Sequence, residues 1–274
     1  MIYIPDEKAL QEREKEKANA DKFIEFISEQ RKQQIGLYGA AGAQRHSDLE
    51  NKYGKYLFVP LALPIFEVPD KEHFFAWWSS HMAITKKLGG DAVMSGYGIT
   101  PFETIDIVNE IGNQWWEANN QRESFKSEFP KLWQQFNDYL PFDKLLRLTF
   151  WSSRHAIQEH RDSAEFMDAP GSLRVMLYDN NPEETLYVFD NPLSPFESGE
   201  PHMLPRAPGT NSFVWNNLRV KHGSIYNPGH KKVLAFAAGL FNIDKYEELM
   251  ENSLNLYKDY CITSKYSIEQ YVNL

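Results

Sequence analysis

Between Leu145 and Phe241 the chain is cut into short apolar and branched runs, each bounded by Gly, Pro, Asn or Asp. No other feature limits the fold as much. Runs of this length and texture predict strands at 145–151, 154–160, 172–178, 185–189, 211–215, 219–225 and 232–240. The turns between them include Ala169-Pro170-Gly171, Asn180-Asn181-Pro182, Pro208-Gly209 and Asn227-Pro228-Gly229. Many short strands at close spacing suggest a barrel or a sandwich.

The first half has a different texture. Glu7 to Gln34 is rich in Glu, Lys, Gln and Ala, and Phe23, Ile24 and Ile27 give it an apolar stripe, so a helix is predicted there. Further helices are predicted over Asp70–Leu88, Phe102–Ala118 and Glu123–Tyr139, with one strand at Tyr56–Leu63. After Asn242 a last helix is expected to start at Asp244, with Glu247 in the box position. The chain has no internal repeat and no low-complexity linker. It reads as one domain over 1–274: a mainly helical layer at 1–140, a β core at 145–241 and a C-terminal helical segment at 244–274.

Charge narrows the partners. The net charge is −9 over 274 residues, which argues against a nucleic-acid backbone or an anionic membrane surface, since both need a positive footprint. A small anion held by one or two buried cations remains compatible. The single cysteine, Cys261, rules out an internal disulfide and a cysteine-built metal cage. No apolar run approaches the roughly 20 residues of a membrane span. The first residues show no basic start joined to an apolar stretch. A soluble, cytoplasmic protein acting on a small molecule is expected, with the oligomeric state open.

The chemistry-bearing residues cluster in the β half. Ile157-Gln158-Glu159-His160-Arg161-Asp162 closes a predicted strand. Residues two apart on extended chain lie on one side, so His160 and Asp162 can reach one ion while Arg161 points away. His222 stands in a later predicted strand. Two imidazoles and a carboxylate leave open positions on a metal, an arrangement suited to non-haem Fe(II) oxygen chemistry, although zinc hydrolysis can use the same donors. Beyond His222 the strand turns at Asn227-Pro228-Gly229 into another that opens with Lys231 and Lys232. A cation there can pair with a dicarboxylate whose other end chelates the metal.

In this His-x-Asp, distal His, then cation order, the chain resembles the Fe(II)/2-oxoglutarate-dependent dioxygenase superfamily. His222 follows Asp162 by about sixty residues and Lys232 follows His222 by ten. Leu204-Pro205-Arg206-Ala207-Pro208-Gly209, preceding Phe213-Val214-Trp215, also resembles the turn before the distal-His strand of that superfamily. The resemblance covers about 145–241 and implies an α+β fold, with a double-stranded β-helix (jelly-roll, cupin-like) core. It also implies Fe(II) held by His160, Asp162 and His222, with 2-oxoglutarate and O2 as cosubstrates. The reaction implied is hydroxylation of an unactivated C–H with release of succinate and CO2. Halogenating relatives have a small residue where Asp162 stands, so halogenation is not expected.

Lys232 is the expected partner of the far carboxylate of 2-oxoglutarate, with Lys231 its rival on the other strand face. Arg174, inside the apolar run Leu173–Tyr178, is a third candidate, either paired with a carboxylate or lying on an exposed strand face. Tyr178, four residues on, is expected on the face of Arg174. Trp151, Arg154 and Gln158 are candidate substrate contacts. His73, His81, His155, His202 and His230 read as structural histidines. His46-Ser47-Asp48, in a polar stretch without a strand pattern, reads as a surface accident. The substrate expected is a small polar metabolite, such as an amino acid or a natural-product intermediate. A peptide side chain is the alternative within the same chemistry. A non-oxidative cupin-like metal- or sugar-binding barrel and a zinc hydrolase or isomerase are the alternatives outside it.

Overall fold

Period-two alternation in the second half resolves into two antiparallel sheets. A computed structural model describes residues 41, 44–45, 48–49, 51–77, 103–108, 124–152, 157–160, 172–180, 186–189, 201–215, 222–224 and 232–264. Among these residues, β1 (Tyr56–Pro60), β2 (Glu103–Val108), β3 (Phe142–Ser152), β5 (Ser172–Asp179), β8 (Ser212–Trp215), β10 (Lys232–Phe241) and β11 (Ile262–Thr263) form a seven-stranded sheet. Its order is β11-β1-β8-β5-β10-β3-β2. The second sheet holds β4 (Ile157–His160), β6 (Leu186–Phe189), β7 (Pro201–Met203) and β9 (His222–Ser224), in the order β4-β9-β6-β7. From β3 to β10 the chain passes repeatedly from one sheet to the other.

Side-chain alternation sorts the apolar residues into two layers. Leu57 and Phe58 of β1, Leu186 and Val188 of β6, Phe213 and Trp215 of β8 and Leu234 of β10 form one buried cluster shared by both sheets. On the opposite face of the larger sheet, Leu173, Val175, Val214, Val233, Ala235 and Ala237 join the helical layer. Inward and outward residues therefore alternate along β5, β8 and β10, as a pleated strand with both faces covered requires. That outer layer is strongly aromatic. Phe74, Trp77, Phe125 and Phe129 pack with ring centroids 5.3–6.1 Å apart, and Trp77 Nε1 donates to Ser124 Oγ at 2.9 Å.

Two helices of the layer have clear sequence causes. Helix α1 (Pro130–Tyr139) starts on a proline, whose missing N–H costs nothing in the first turn. The same proline breaks the predicted Glu123–Tyr139 helix: residues 124–128 are helical and Phe129 is not. Helix α2 (Ile243–Leu256) buries Tyr246, Leu249, Met250 and Ser253, one stripe at helical spacing. Ser253 Oγ donates to Leu249 O at 2.6 Å and accepts from Ala62 N at 2.8 Å, which fixes the helix to the end of β1.

Three expectations change. The segment 103–108 is a strand rather than the start of a helix, because Glu103-Thr104-Ile105-Asp106-Ile107-Val108 alternates and pairs along the free edge of β3. The cap of α2 is Asn242, not Asp244: Asn242 Oδ1 accepts from Lys245 N at 2.9 Å, and Asp244, inside the first turn, pairs instead with Arg45. The short strands β7 and β11 were not expected. Residues 71–77 of the predicted Asp70–Leu88 helix are helical, while its remainder, the predicted helix at 7–34 and the remainder of 102–118 lie outside the described residues. No helix among the described residues is long and apolar enough to cross a membrane.

Asn242 also donates through Nδ2 to Asp143 Oδ1 at 2.7 Å, so it ties α2 to β3. Asn242→Ala is expected to cost about 1–2 kcal/mol in urea unfolding. Asp244→Ala, at an exposed pair, should stay within about 0.5 kcal/mol. Equal losses for the two variants would contradict the assignment of the cap.

Candidate metal centre

The ladder between β4 and β9 brings two of the candidate donors together. His160 stands directly opposite His222, and Ile157 opposite Ser224, with an irregularity between the two rungs. Opposite residues of an antiparallel pair share a face, with Cβ atoms about 4.5–5.5 Å apart. On its other edge β9 pairs with β6, where His222 faces Val188. Val188 belongs to the inter-sheet cluster, so positions 160 and 222 are on the inter-sheet face. The His222 side chain is buried, 6% exposed, and its ring lies 4.7 Å from that of Trp215. Asp162 and Arg154 lie outside the described residues.

A buried cation shares the same indole. Arg174 is 3% exposed and its guanidinium carbon sits 4.9 Å from the centre of the Trp215 ring. The rung Arg174–Phe213 puts it on the inter-sheet face, because Phe213 belongs to that cluster. The alternative of an Arg on an exposed strand face is therefore not what the fold contains. A stacked, desolvated guanidinium of this kind gains about 2 kcal/mol from the ring.

Lys232 is also enclosed, 2% exposed. It is two residues before Leu234 on a regular stretch of β10, hence on the inter-sheet face, and stands opposite Asp179 on β5. Lys231 lies outside the described residues. Phe236 of β10 is opposite Arg174, four residues from Lys232, so the two cations are separated by about 13 Å of strand. They therefore serve different levels of the inter-sheet space. Near the Lys232 level, a cavity of about 160 Å³ is bounded by Phe58, Met176, Leu186, Phe213 and the ion pair Asp179–Arg206. Arg206 Nη2 donates to Asp179 Oδ2 at 2.6 Å.

Tyr178 is not on the face of Arg174. The β10–β5 register slips between Val233, opposite Tyr178, and Leu234, opposite Met176, so Leu177 is extra. A bulge of this kind turns the following residue to the other side. The Tyr178 ring lies 5.0 Å from Phe75 in the helical layer, and its hydroxyl reaches Glu72 Oε1 at 3.5 Å. Burial, then the neighbouring Glu72 carboxylate, pushes the phenol pKa up. Position 151 is opposite Leu234 and so shares the inter-sheet face, while Gln158 lies in the irregular stretch between the two β4 rungs.

Other titratable groups stand apart. His73 Nε2 is 3.0 Å from Glu128 Oε2, joining two helical pieces. His202, in β7, is opposite Val188 and so shares the inter-sheet face, two strands away from His222. Cys261 Sγ donates to Tyr257 O at 3.3 Å, and burial pushes its pKa up to about 11, so it is no nucleophile at neutral pH. Among the described residues no three His, Cys, Asp or Glu side chains gather round one point. His160 and Asp162 are the two proposed donors whose side chains are not described. The donor chemistry of the β4–β9 rung fits a metal that takes two imidazoles.

No protein-family model matches the chain, and no curated protein matches it in sequence. Solved structures do resemble it. A prolyl-4-hydroxylase from Pseudomonas putida aligns over 70% of this chain and 96% of its own, at 11% identity and a TM-score of 0.36. A 2OG-Fe(II) oxygenase-family oxidoreductase from Burkholderia pseudomallei aligns over 73% and 93%, at 12% identity and a TM-score of 0.35. A prolyl hydroxylase from Trichoplax adhaerens, in complex with a hypoxia inducible factor peptide fragment, aligns over 76% and 96%, at 10% identity and a TM-score of 0.35. The functional reading rests on the residues.

Tyr178→Phe is expected to leave dicarboxylate affinity within about twofold, since the side chain packs in the helical layer and not on the inter-sheet face. Isothermal titration with 2-oxoglutarate measures it, and a tenfold loss would return Tyr178 to the site. Alkylation of Cys261 by iodoacetamide should be slow at pH 8.5 in the folded protein and fast in urea, where the thiol regains a pKa of about 8.5. Equal rates in the two states would contradict the raised thiol pKa.

Proposed function

We propose that this chain is an Fe(II)- and 2-oxoglutarate-dependent oxygenase that hydroxylates an unactivated C–H of a small polar metabolite. One observation carries the reading. His160 and His222 occupy one antiparallel rung on the inter-sheet face, and a buried lysine, Lys232, stands on the inter-sheet face of β10. The passage of the chain between sheets from β3 to β10 suits a double-stranded β-helix.

In this reading His160, Asp162 and His222 hold the iron, which when bound supplies oxygen activation coupled to oxidative decarboxylation of the cosubstrate. Lys232 holds the far carboxylate. An ammonium excluded from water attracts an anion far more strongly than a solvated one, so one lysine suffices where a surface site would need several. The apolar walls formed by Val188, Phe213 and Leu234 keep water from the reacting centre. Asp162 would serve as the carboxylate ligand where halogenating relatives have a small residue, which favours hydroxylation. The acidic chain suits a small or weakly charged substrate better than a nucleic acid. Trp151, Arg154 and Gln158 are the proposed substrate contacts, and the cytoplasm is the proposed compartment.

The test is succinate release from 2-oxoglutarate with Fe(II), with and without O2. Release is expected only aerobically and is expected to vanish in His222→Ala. Lys232→Met should raise the 2-oxoglutarate concentration for half-saturation by about thirtyfold or more. An activity that persists without O2 would point to a zinc-type hydrolase. No turnover and no 2-oxoglutarate binding in iron-loaded, folded protein would leave a non-oxidative metal-binding barrel.

A further inference from the structure

Trp215 has the features of a ligand-binding residue. It is 2% exposed and belongs to the inter-sheet cluster. Its ring is 4.7 Å from His222 and 4.9 Å from the Arg174 guanidinium carbon. Its Nε1–H is buried and has no hydrogen-bond acceptor among the described residues. A buried indole N–H nearly always has an acceptor, because leaving a donor desolvated and unmatched costs about 1–3 kcal/mol. The hydrophobic packing of the ring needs only a phenylalanine. An acceptor carried by a bound ligand would satisfy that nitrogen.

The surroundings define that acceptor. A donor grouped with a guanidinium and an imidazole suits an anionic oxygen, to which hydrogen bonds are stronger than to a neutral carbonyl. The neighbouring imidazole belongs to the proposed metal rung, so the oxygen lies where an acid chelating that metal would place its carboxylate. We propose that Trp215 Nε1 donates a hydrogen bond to a carboxylate oxygen of the 2-oxo acid bound at the His160–His222 rung, an assignment that rests on the oxygenase reading above. Trp215 thus holds the metal-proximal end of the acid, and Lys232, at the other level of the inter-sheet space, holds the far end.

The experiment uses the full chain labelled with 15N-tryptophan and loaded with Zn(II) as a diamagnetic stand-in for iron. The chain has seven tryptophans, and the Trp215 indole signal is the one missing from Trp215→Phe. On titration with 2-oxoglutarate that signal is expected to move downfield, as a new hydrogen bond to an anion requires. Trp215→Phe keeps an aromatic side chain but is smaller, so a lower melting temperature is expected, with Zn(II) affinity near wild type and a 2-oxoglutarate Kd raised about tenfold or more. Two results overturn the assignment, and they differ. If the iron-loaded protein binds 2-oxoglutarate but the Trp215 signal stays still and Trp215→Phe binds equally well, Trp215 is packing and the oxygenase reading stands. If neither metal form binds the acid, both fail together.

Discussion

The apolar cluster between the two sheets sets the terms for everything else in this chain. It is built from one residue in two along β5, β6, β8 and β10, joined by Leu57 and Phe58 at the irregularity of β1, so burying Val188, Phe213, Trp215 and Leu234 decides which face of each of those strands turns inward. Once that face is fixed, the polar residues in phase with it have no choice. His222 follows from Val188, Arg174 from Phe213, and Lys232 from Leu234. A one-residue slip in β10 would send Lys232 to the helical layer and bring Val233 inward. The position of the candidate chemistry is thus a consequence of hydrophobic register, and the cost of misregister is the loss of that core.

β10 bears most of this constraint. It is bonded on both sides, to β3 and β5, over 233–237, and its outward face of Val233, Ala235 and Ala237 is covered by the helical layer. A strand covered on both faces must be apolar except where a polar group has a purpose or a partner. That makes a fully enclosed lysine at its first position informative. Ammonium burial is tolerable only beside an anion, and the first rung supplies one candidate, Asp179, which Arg206 already shares.

Much of the β half was legible because its signals are local. Strands at 172–179, 186–189, 212–215 and 232–241 fall within a residue or so of their expected bounds, since Gly, Pro and Asn punctuate them. What was not legible depends on partners distant in sequence. Glu103–Val108 reads as helix or strand until β3 offers an edge. Asn242 outcompetes Asp244 as a cap because Asp143 and Pro141 O also engage it. Tyr178 faces the helices because of a bulge at Leu177 that no local pattern announces. The pairing of His160 with His222 is likewise a matter of register: both residues were visible, their opposition was not. An aromatic in an apolar strand such as Trp215 reads as core, and what sets it apart is a buried N–H with no acceptor among the described residues, beside His222 and Arg174.

The central claim is that His160 and His222 share one metal that also binds a 2-oxo acid. Anaerobic reconstitution with Fe(II), followed by addition of 2-oxoglutarate, tests it most directly. A weak visible charge-transfer band should appear on adding the acid, and should be absent in His160→Ala and in His222→Ala at unchanged fold. No band in folded, iron-loaded wild-type protein, or a band that survives both substitutions, would contradict the account.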